Sequence, residues 1–246
     1  MSVTSHTRAR GERGPLTASG APDGTGPTPV RDAIAAGAAA LSAAGCDTPR
    51  LDAEVLLAHV LGSTRERVLV DPARPLDECA AREFDAALER RARAREPVAY
   101  ITRRRHFRHL ELAVDERALI PRPETELLVE IGARLPRGAA VIDVGTGCGA
   151  VALALAHERP DLRVGPGDVD PRALTLAGEN ASALGLEVEL YRSDILAGVP
   201  DEFDAVLANL PYVAELLREH RFCGIEIERD LAGIERVVLA RGRGDG

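Results

Sequence analysis

From Val30 onward apolar residues recur at helical spacing, and after Leu119 they gather into short runs separated by helical stretches. Val30 to Ala44 is Ala-rich and stops at Gly45, a residue suited to the left-handed turn that closes helices. Thr48-Pro49 reads as an N-cap followed by proline at the first helical position, and Leu51, Val55 and Leu56 supply an apolar face up to Leu61, with Gly62 ending it. Ser63 is placed to cap a short helix through Val70, and Asp77 another in which Phe84 and Leu88 stack four residues apart. Ala99-Tyr100-Ile101 and Leu110 to Val114, with Phe107 between them, read as two strands of a hairpin.

Beyond Leu119 the pattern alternates. Ala139 to Val144, Leu162 to Val169, Val188 to Tyr191 and Phe203 to Ala208 are predicted strands, and Ala150 to His157 and Arg172 to Leu184 predicted helices. Such alternation implies an α/β fold with a parallel sheet. Gly165-Pro166-Gly167 sits awkwardly in the second strand, because proline cannot donate to a sheet ladder. The expected organisation is a disordered tail over 1–28, a small N-terminal helical domain over 29–95, a linking β-hairpin over 96–118 and the α/β domain over 119–246. The tail is rich in Gly, Ser, Thr, Pro and Arg and too poor in large apolar side chains to offset its ordering entropy.

Composition narrows the function classes. The net charge of -8 argues against a broad electrostatic grip on nucleic acid, and the absence of Trp leaves few platforms for stacking bases. All 31 basic residues are arginine. Cys46, Cys79, Cys148 and Cys223 have no metal-ligand spacing, so no metal site is expected, and scattered single thiols suit a reducing, cytoplasmic setting. No apolar run is long enough to span a membrane, and the N-terminus lacks the apolar segment of a signal peptide.

Four motifs carry chemistry. Asp143-Val144-Gly145-Thr146-Gly147-Cys148-Gly149 joins a strand to a helix, and its glycines let a ligand approach the backbone. Alone, such a loop leaves NAD(P), other nucleotides and S-adenosylmethionine all open. Asp168 lies 23 residues after Gly145 (168 − 145), where an acidic residue holds the ribose hydroxyls of an adenosine cofactor. Asp168 fits better than Asp170, because Asp170-Pro171 looks like the cap and first residue of the next helix. In Ser193-Asp194-Ile195, a carboxylate is placed to accept an adenine amino group, with Ile195 against the ring. Asn209-Leu210-Pro211-Tyr212 follows the last parallel strand, at the sheet edge where ligands bind. A planar nitrogen is a poor nucleophile because its lone pair is delocalised. An Asn oxygen and the next backbone carbonyl can accept both of its N–H hydrogens and aim the lone pair at a methyl group. Catalysis of that kind is positioning and electrostatics.

In this order the motifs resemble class I methyltransferases acting on planar nitrogens. Leu119-Ile120-Pro121-Arg122-Pro123-Glu124-Thr125-Glu126, after a helical unit and a hairpin, resembles the release-factor glutamine N5-methyltransferases, the HemK/PrmC family. The tail from Ile225 to Leu239 is similar to that family's closing hairpin. The resemblance covers nearly everything from Pro29 to Arg241 and implies a shortened Rossmann-like class I methyltransferase sheet. It also implies S-adenosyl-L-methionine as cofactor, held by Gly145, Thr146, Gly147, Cys148 and Gly149 (methionine part), Asp168 (ribose), Asp194 with Ile195 (adenine), and Asn209, which borders both cofactor and substrate. Asn209 and the Leu210 carbonyl would grip the substrate amide, Pro211 stiffen the turn and Tyr212 cover the flat group. The implied partner is a peptide-chain release factor, through its Gly-Gly-Gln loop, met by a monomer without direct nucleic-acid or membrane contact.

Several positions depart from the family. Leu210 replaces the first proline of Asn-Pro-Pro-Tyr, and Arg103 stands where glycine is usual. Between Tyr212 and Cys223 the family has another strand and flanking helices, and here only Val213 to Phe222 remain. Either the closing hairpin docks against the strand ending at Ala208, or the domain is destabilised. An adenine-N6 methyltransferase, a degenerate inactive remnant and, least, a hydride-transfer enzyme stay open as alternatives.

Overall fold

A computed structural model describes residues 27–195, 197, 203–209, 222–229 and 235–243. The chain divides into two units, Met1–Thr102 and Arg103–Gly246.

The first unit is helical: α1 (Val30–Ala43), α2 (Pro49–Val60), α3 (Arg65–Val70), α4 (Glu78–Arg93) and α5 (Val98–Thr102). Gly45 and Gly62 take positive φ just past α1 and α2, where a Cβ would be strained. Asp77 caps α4 by accepting the Ala80 N–H at 2.8 Å. The cap of α3 is Thr64, not Ser63: its Oγ1 accepts from the Arg67 N–H. Thr48 precedes Pro49 but makes no side-chain cap; its hydroxyl instead donates to Asp52 at 2.7 Å. Leu41, Ala53, Leu56, Leu57, Phe84 and Leu88 form the core with Ile101.

Beyond these two caps, two further expectations fail here. Ala99-Tyr100-Ile101 is helical, within α5, so β1 begins only at Arg104. Three residues of mixed β propensity are too short a signal to outweigh local i→i+4 bonding; the Ile101 N–H reaches the Pro97 carbonyl at 3.2 Å. Leu51 is half exposed, and the inner face of α2 carries Asp52 and Glu54 beside Leu56 and Leu57. Both carboxylates are paired: Asp52 accepts from Arg91 Nε at 2.7 Å, and Glu54 from Arg65 and Arg50 at 2.7 and 2.9 Å. Burial would raise the Glu54 pKa, but the two guanidiniums outweigh it and hold the group below its ordinary value.

The second unit opens with an antiparallel hairpin, β1 (Arg104–Phe107) and β2 (Leu110–Ala113). A 3-10 turn (Pro123–Thr125) and α6 (Glu126–Gly132) lead to β3 (Ala140–Val144), α7 (Ala150–Glu158), β4 (Arg163–Asp168), α8 (Pro171–Leu184), β5 (Tyr191–Arg192) and β6 (Ala205–Ala208). β7 (Phe222–Arg229) and β8 (Glu235–Arg243) follow. The sheet order is β5-β4-β3-β6-β8-β7, with β3 to β6 parallel and β8 antiparallel to both β6 and β7. Of the two outcomes left open by the shortened chain, docking is observed: Leu207 pairs with Leu239 and Ala208 with Val238.

The fifth strand is shorter than Val188–Tyr191 suggests, only two residues, and this explains how proline sits in β4. Odd residues of β4 bond toward β3, as the Arg163 N–H to the Ala139 carbonyl and the Gly167 carbonyl from Gly145 show. Pro166 therefore turns its nitrogen toward β5, whose pairing starts only at Gly167 with Tyr191. No ladder donor is missed. Gly165 is required by a close approach, since a Cβ there would lie 2.6 Å from the Tyr191 ring.

Candidate functional site

The predicted site residues within the described chain all stand at the carboxyl ends of the parallel strands. The loop after β3 takes left-handed φ at Gly145 (73°), Gly147 (58°) and Gly149 (85°). A Cβ on Gly149 would also lie 2.9 Å from Leu153 Cδ1 and 3.2 Å from Ala177 Cβ, so this position is closed to other residues twice over. Gly145 and Thr146 both donate their N–H to the Gly167 carbonyl, at 2.9 and 3.0 Å, which ties the loop to β4.

Asp168, at the end of β4, reaches the same loop. Its Oδ2 accepts the Gly147 N–H and its Oδ1 the Asp170 N–H, each at 3.0 Å. Each oxygen keeps a further lone pair, so the fixed carboxylate can still accept a diol. Asp170 accepts the Arg172 N–H and caps α8 with Pro171 at the first position, which separates its role from that of Asp168. After β5, Ser193 is buried and its N–H donates to the Asp168 carbonyl at 3.1 Å, while Asp194 is exposed. Ile195 holds φ of 56°, a left-handed conformation that a β-branched residue adopts only under constraint. The Ala197 N–H closes this turn on the Asp194 carbonyl at 2.9 Å.

The glycine-loop motif by itself assigns no task to Asp143, in β3. It is buried; its Oδ2 accepts from the Thr146 hydroxyl at 2.6 Å and the Ala152 N–H at 3.3 Å. Burial pushes its carboxyl up to about 6, against these two hydrogen bonds, and the Asp168 charge adds to the rise. Burial likewise pushes the Cys148 thiol up to about 11, which leaves it protonated and without nucleophilic character. Among the described residues no group of His, Cys, Asp and Glu could hold a metal ion.

Asn209 follows β6, beside β3. Its Nδ2 donates to Thr125 Oγ1 at 2.8 Å, and its Oδ1 is buried with no hydrogen-bond partner among the described residues. A buried acceptor left open is costly, and it marks where a donor from outside belongs. Leu210, Pro211 and Tyr212 lie outside the described residues.

Two side chains that sequence reasoning passed over complete the site. Thr125, read only as part of a family stretch, is buried and holds Asn209. Asn180 of α8 is buried; its Oδ1 accepts the Ala113 N–H at 2.8 Å, and its Nδ2 donates to the carbonyls of Ala113 and Cys148 at 3.0 and 2.9 Å. One carboxamide thus links β2 to the glycine loop. The one available signal was an Asn on the apolar face of a predicted helix, where a polar residue needs partners.

The set fits an adenosine-bearing, sulfonium methyl donor. The glycine loop is exposed at Gly145, Asp168 is fixed beside it through the Gly147 N–H, and Asn209 offers an unused acceptor at the same sheet edge.

Comparison with known proteins agrees. The PrmC N-terminal domain matches residues 32–102, and the methyltransferase small domain matches residues 123–223. The chain is 43% identical to the release factor glutamine methyltransferase of Cereibacter sphaeroides over 185 residues, 74% of this chain and 66% of that protein. It is 38% identical to the protein of the same name from Mycolicibacterium smegmatis over 226 residues, 89% of this chain and 76% of the relative. The relative from Escherichia coli is 43% identical over 69% of this chain and 62% of its own length. The chain thus spans from 62% to 76% of the length of these curated relatives.

Proposed function

We propose that this chain, which belongs to the release factor glutamine methyltransferase family, transfers a methyl group from S-adenosylmethionine to the side-chain amide of the glutamine in a release factor's Gly-Gly-Gln loop. The observation that carries the reading is the buried, unpartnered Oδ1 of Asn209. An adenosine cofactor of this kind supplies an electrophilic methyl group on a sulfonium sulfur. Asp168 accepts the ribose hydroxyls with its remaining lone pairs, and the Gly145 to Gly149 backbone receives the methionine part. Asp194 and Ile195 take the adenine. Asn209 Oδ1 accepts one N–H of the substrate amide, and the Leu210 carbonyl takes the second in the manner the family implies. Pro211 would stiffen that turn and Tyr212 cover the amide plane. Held in this way, the amide nitrogen would keep its lone pair free of both hydrogen bonds. The cofactor would supply the methyl group, an N–C bond replacing its C–S bond with the electron pair left on sulfur, and one amide proton would leave to water. No protein nucleophile is needed, in keeping with the protonated Cys148. The chain would act as a monomer in the cytoplasm, a reducing setting that suits the free thiols of Cys46, Cys79 and Cys148.

The test is methyl transfer from labelled S-adenosylmethionine to a purified release factor, with the modified residue located by mass spectrometry. Label on the Gly-Gly-Gln glutamine, lost with Asn209→Ala while cofactor affinity persists, is the expected result. Label on adenine in DNA or RNA, with the release factor untouched, would replace the substrate assignment; no label at all would make the chain an inactive member of its family.

A further inference from the structure

The Asn209 carboxamide is tethered at one end and open at the other. Its Nδ2 is bonded to Thr125 Oγ1, a residue 84 positions earlier, while Oδ1 has no partner among the described residues. Thr125 closes the turn Pro123–Thr125, whose geometry is set by Pro123 and by the Thr125 N–H bonding to the Arg122 carbonyl at 3.0 Å. Behind it, α6 buries Leu128, Val129 and Ile131. The hydroxyl is therefore carried on a segment anchored by its own backbone and by packing.

The geometry points to Thr125 as a positioning residue for methyl transfer, one whose hydroxyl fixes the plane of the Asn209 carboxamide so that Oδ1 is presented to the acceptor nitrogen. This inference rests on the amide-methylation reading above. The terminal torsion of Asn is broad and roughly two-fold, so an untethered carboxamide presents either oxygen or NH2 to the site. Only the oxygen can accept a substrate N–H; the NH2 would face it donor to donor. When Oδ1 is so engaged, Nδ2 must find an acceptor on its other side. A hydroxyl can be that acceptor and keep its own proton for another oxygen. Valine has nearly the same shape and no acceptor, so it removes this one function. Serine retains it.

Thr125→Val and Thr125→Ser are compared with wild type by steady-state methyl transfer to a release factor, calorimetric titration with S-adenosylmethionine, and thermal unfolding. A second readout needs no turnover: the side-chain NH2 signals of Asn209 in a 15N-labelled sample, assigned by their loss in Asn209→Ala. Expected for Thr125→Val is a kcat about tenfold lower, equivalent to ~1.4 kcal/mol, with cofactor affinity within about twofold. The Asn209 NH2 protons should be protected from exchange in wild type and lose that protection in Thr125→Val. Thr125→Ser should recover both properties. An unchanged kcat in Thr125→Val, or unprotected NH2 protons in wild type, would overturn the inference. So would a loss of cofactor affinity and melting temperature that accounts for the whole drop in rate, since that is what a structural role gives. A wild-type protein that binds cofactor but never methylates a release factor would defeat the amide reading, and this assignment with it.

Discussion

Replacing Asn180 by leucine removes a carboxamide while keeping most of its volume. Three hydrogen bonds go at once: one accepted from the Ala113 N–H and two donated, to the carbonyls of Ala113 and Cys148. Each is worth about 1 kcal/mol net, and the buried Cys148 carbonyl pays an added cost of about 1 kcal/mol or more when orphaned. The expected loss of stability is thus ~3 to 5 kcal/mol, a large share of the ~5–15 kcal/mol typical of a domain. Urea unfolding followed by circular dichroism measures it. The loss should be local in its functional effect, because the Cys148 carbonyl lies in the glycine loop. Cofactor affinity, measured well below the unfolding midpoint, should fall by about tenfold or more, ~1.4 kcal/mol. Asn180→Asp is a sharper companion, since its carboxylate would face the same two carbonyls with no hydrogens to offer. A destabilisation under about 0.5 kcal/mol for Asn180→Leu, within the range of ordinary surface changes, would refute the keystone role. Full destabilisation with untouched cofactor affinity would confine Asn180 to the scaffold.

Other outcomes follow from the same geometry. Asp143 carries a carboxyl raised from 3.8 to about 6, so the stability it contributes is fully present below pH ~4 and lost as pH rises through about 6, ~3 kcal/mol in all and roughly half of it between pH 5 and 8. Asp143→Asn should remove that slope, gaining on wild type as pH increases; parallel urea midpoints at pH 5 and pH 8 would contradict it. Asp168→Ala should raise the S-adenosylmethionine Kd about 100-fold by calorimetry, because two charge-assisted hydrogen bonds of ~1.5 kcal/mol each are lost, and an unchanged Kd would remove Asp168 from the site. Arg91→Met should cost the helical unit ~3 kcal/mol in urea unfolding by leaving Asp52 without its guanidinium, and Asp52→Leu on that background should recover part of it.

Much of the fold was legible because its signals are local. Asp77 and the Asp170-Pro171 pair mark helix starts within three residues of their backbone partners, and Gly45 and Gly62 mark ends. The glycine loop declares itself through φ values that only glycine takes freely. What escaped was non-local or weakly coded. Thr125 and Asn180 find their partners 84 and 67 residues away, and the neighbouring sequence says at most that Asn180, on an apolar helix face, needs a partner, not which one. The run Ala99–Ile101 was too short for its period to choose between strand and helix. Leu51 misled because one apolar side chain does not fix the phase of a helix whose inner face also holds ion pairs. Pro166 looked misplaced only because the reach of β5 could not be read from its residues.

The direct pairing of β8 with β6 has a consequence for how this architecture can change. A strand edge offers the same alternating row of N–H and C=O groups to a neighbour running in either direction. The edge of β6 is thus a generic socket, indifferent to whether the next strand along is the return arm of a hairpin or a parallel insert. Asn209, by contrast, is steadied from Thr125 on an earlier segment of the chain. Chemistry and connection length are therefore decoupled at this point, and the linkage between Tyr212 and the closing hairpin becomes a region where evolution can lengthen or trim the chain to suit a partner without rebuilding the tether that holds Asn209 in place.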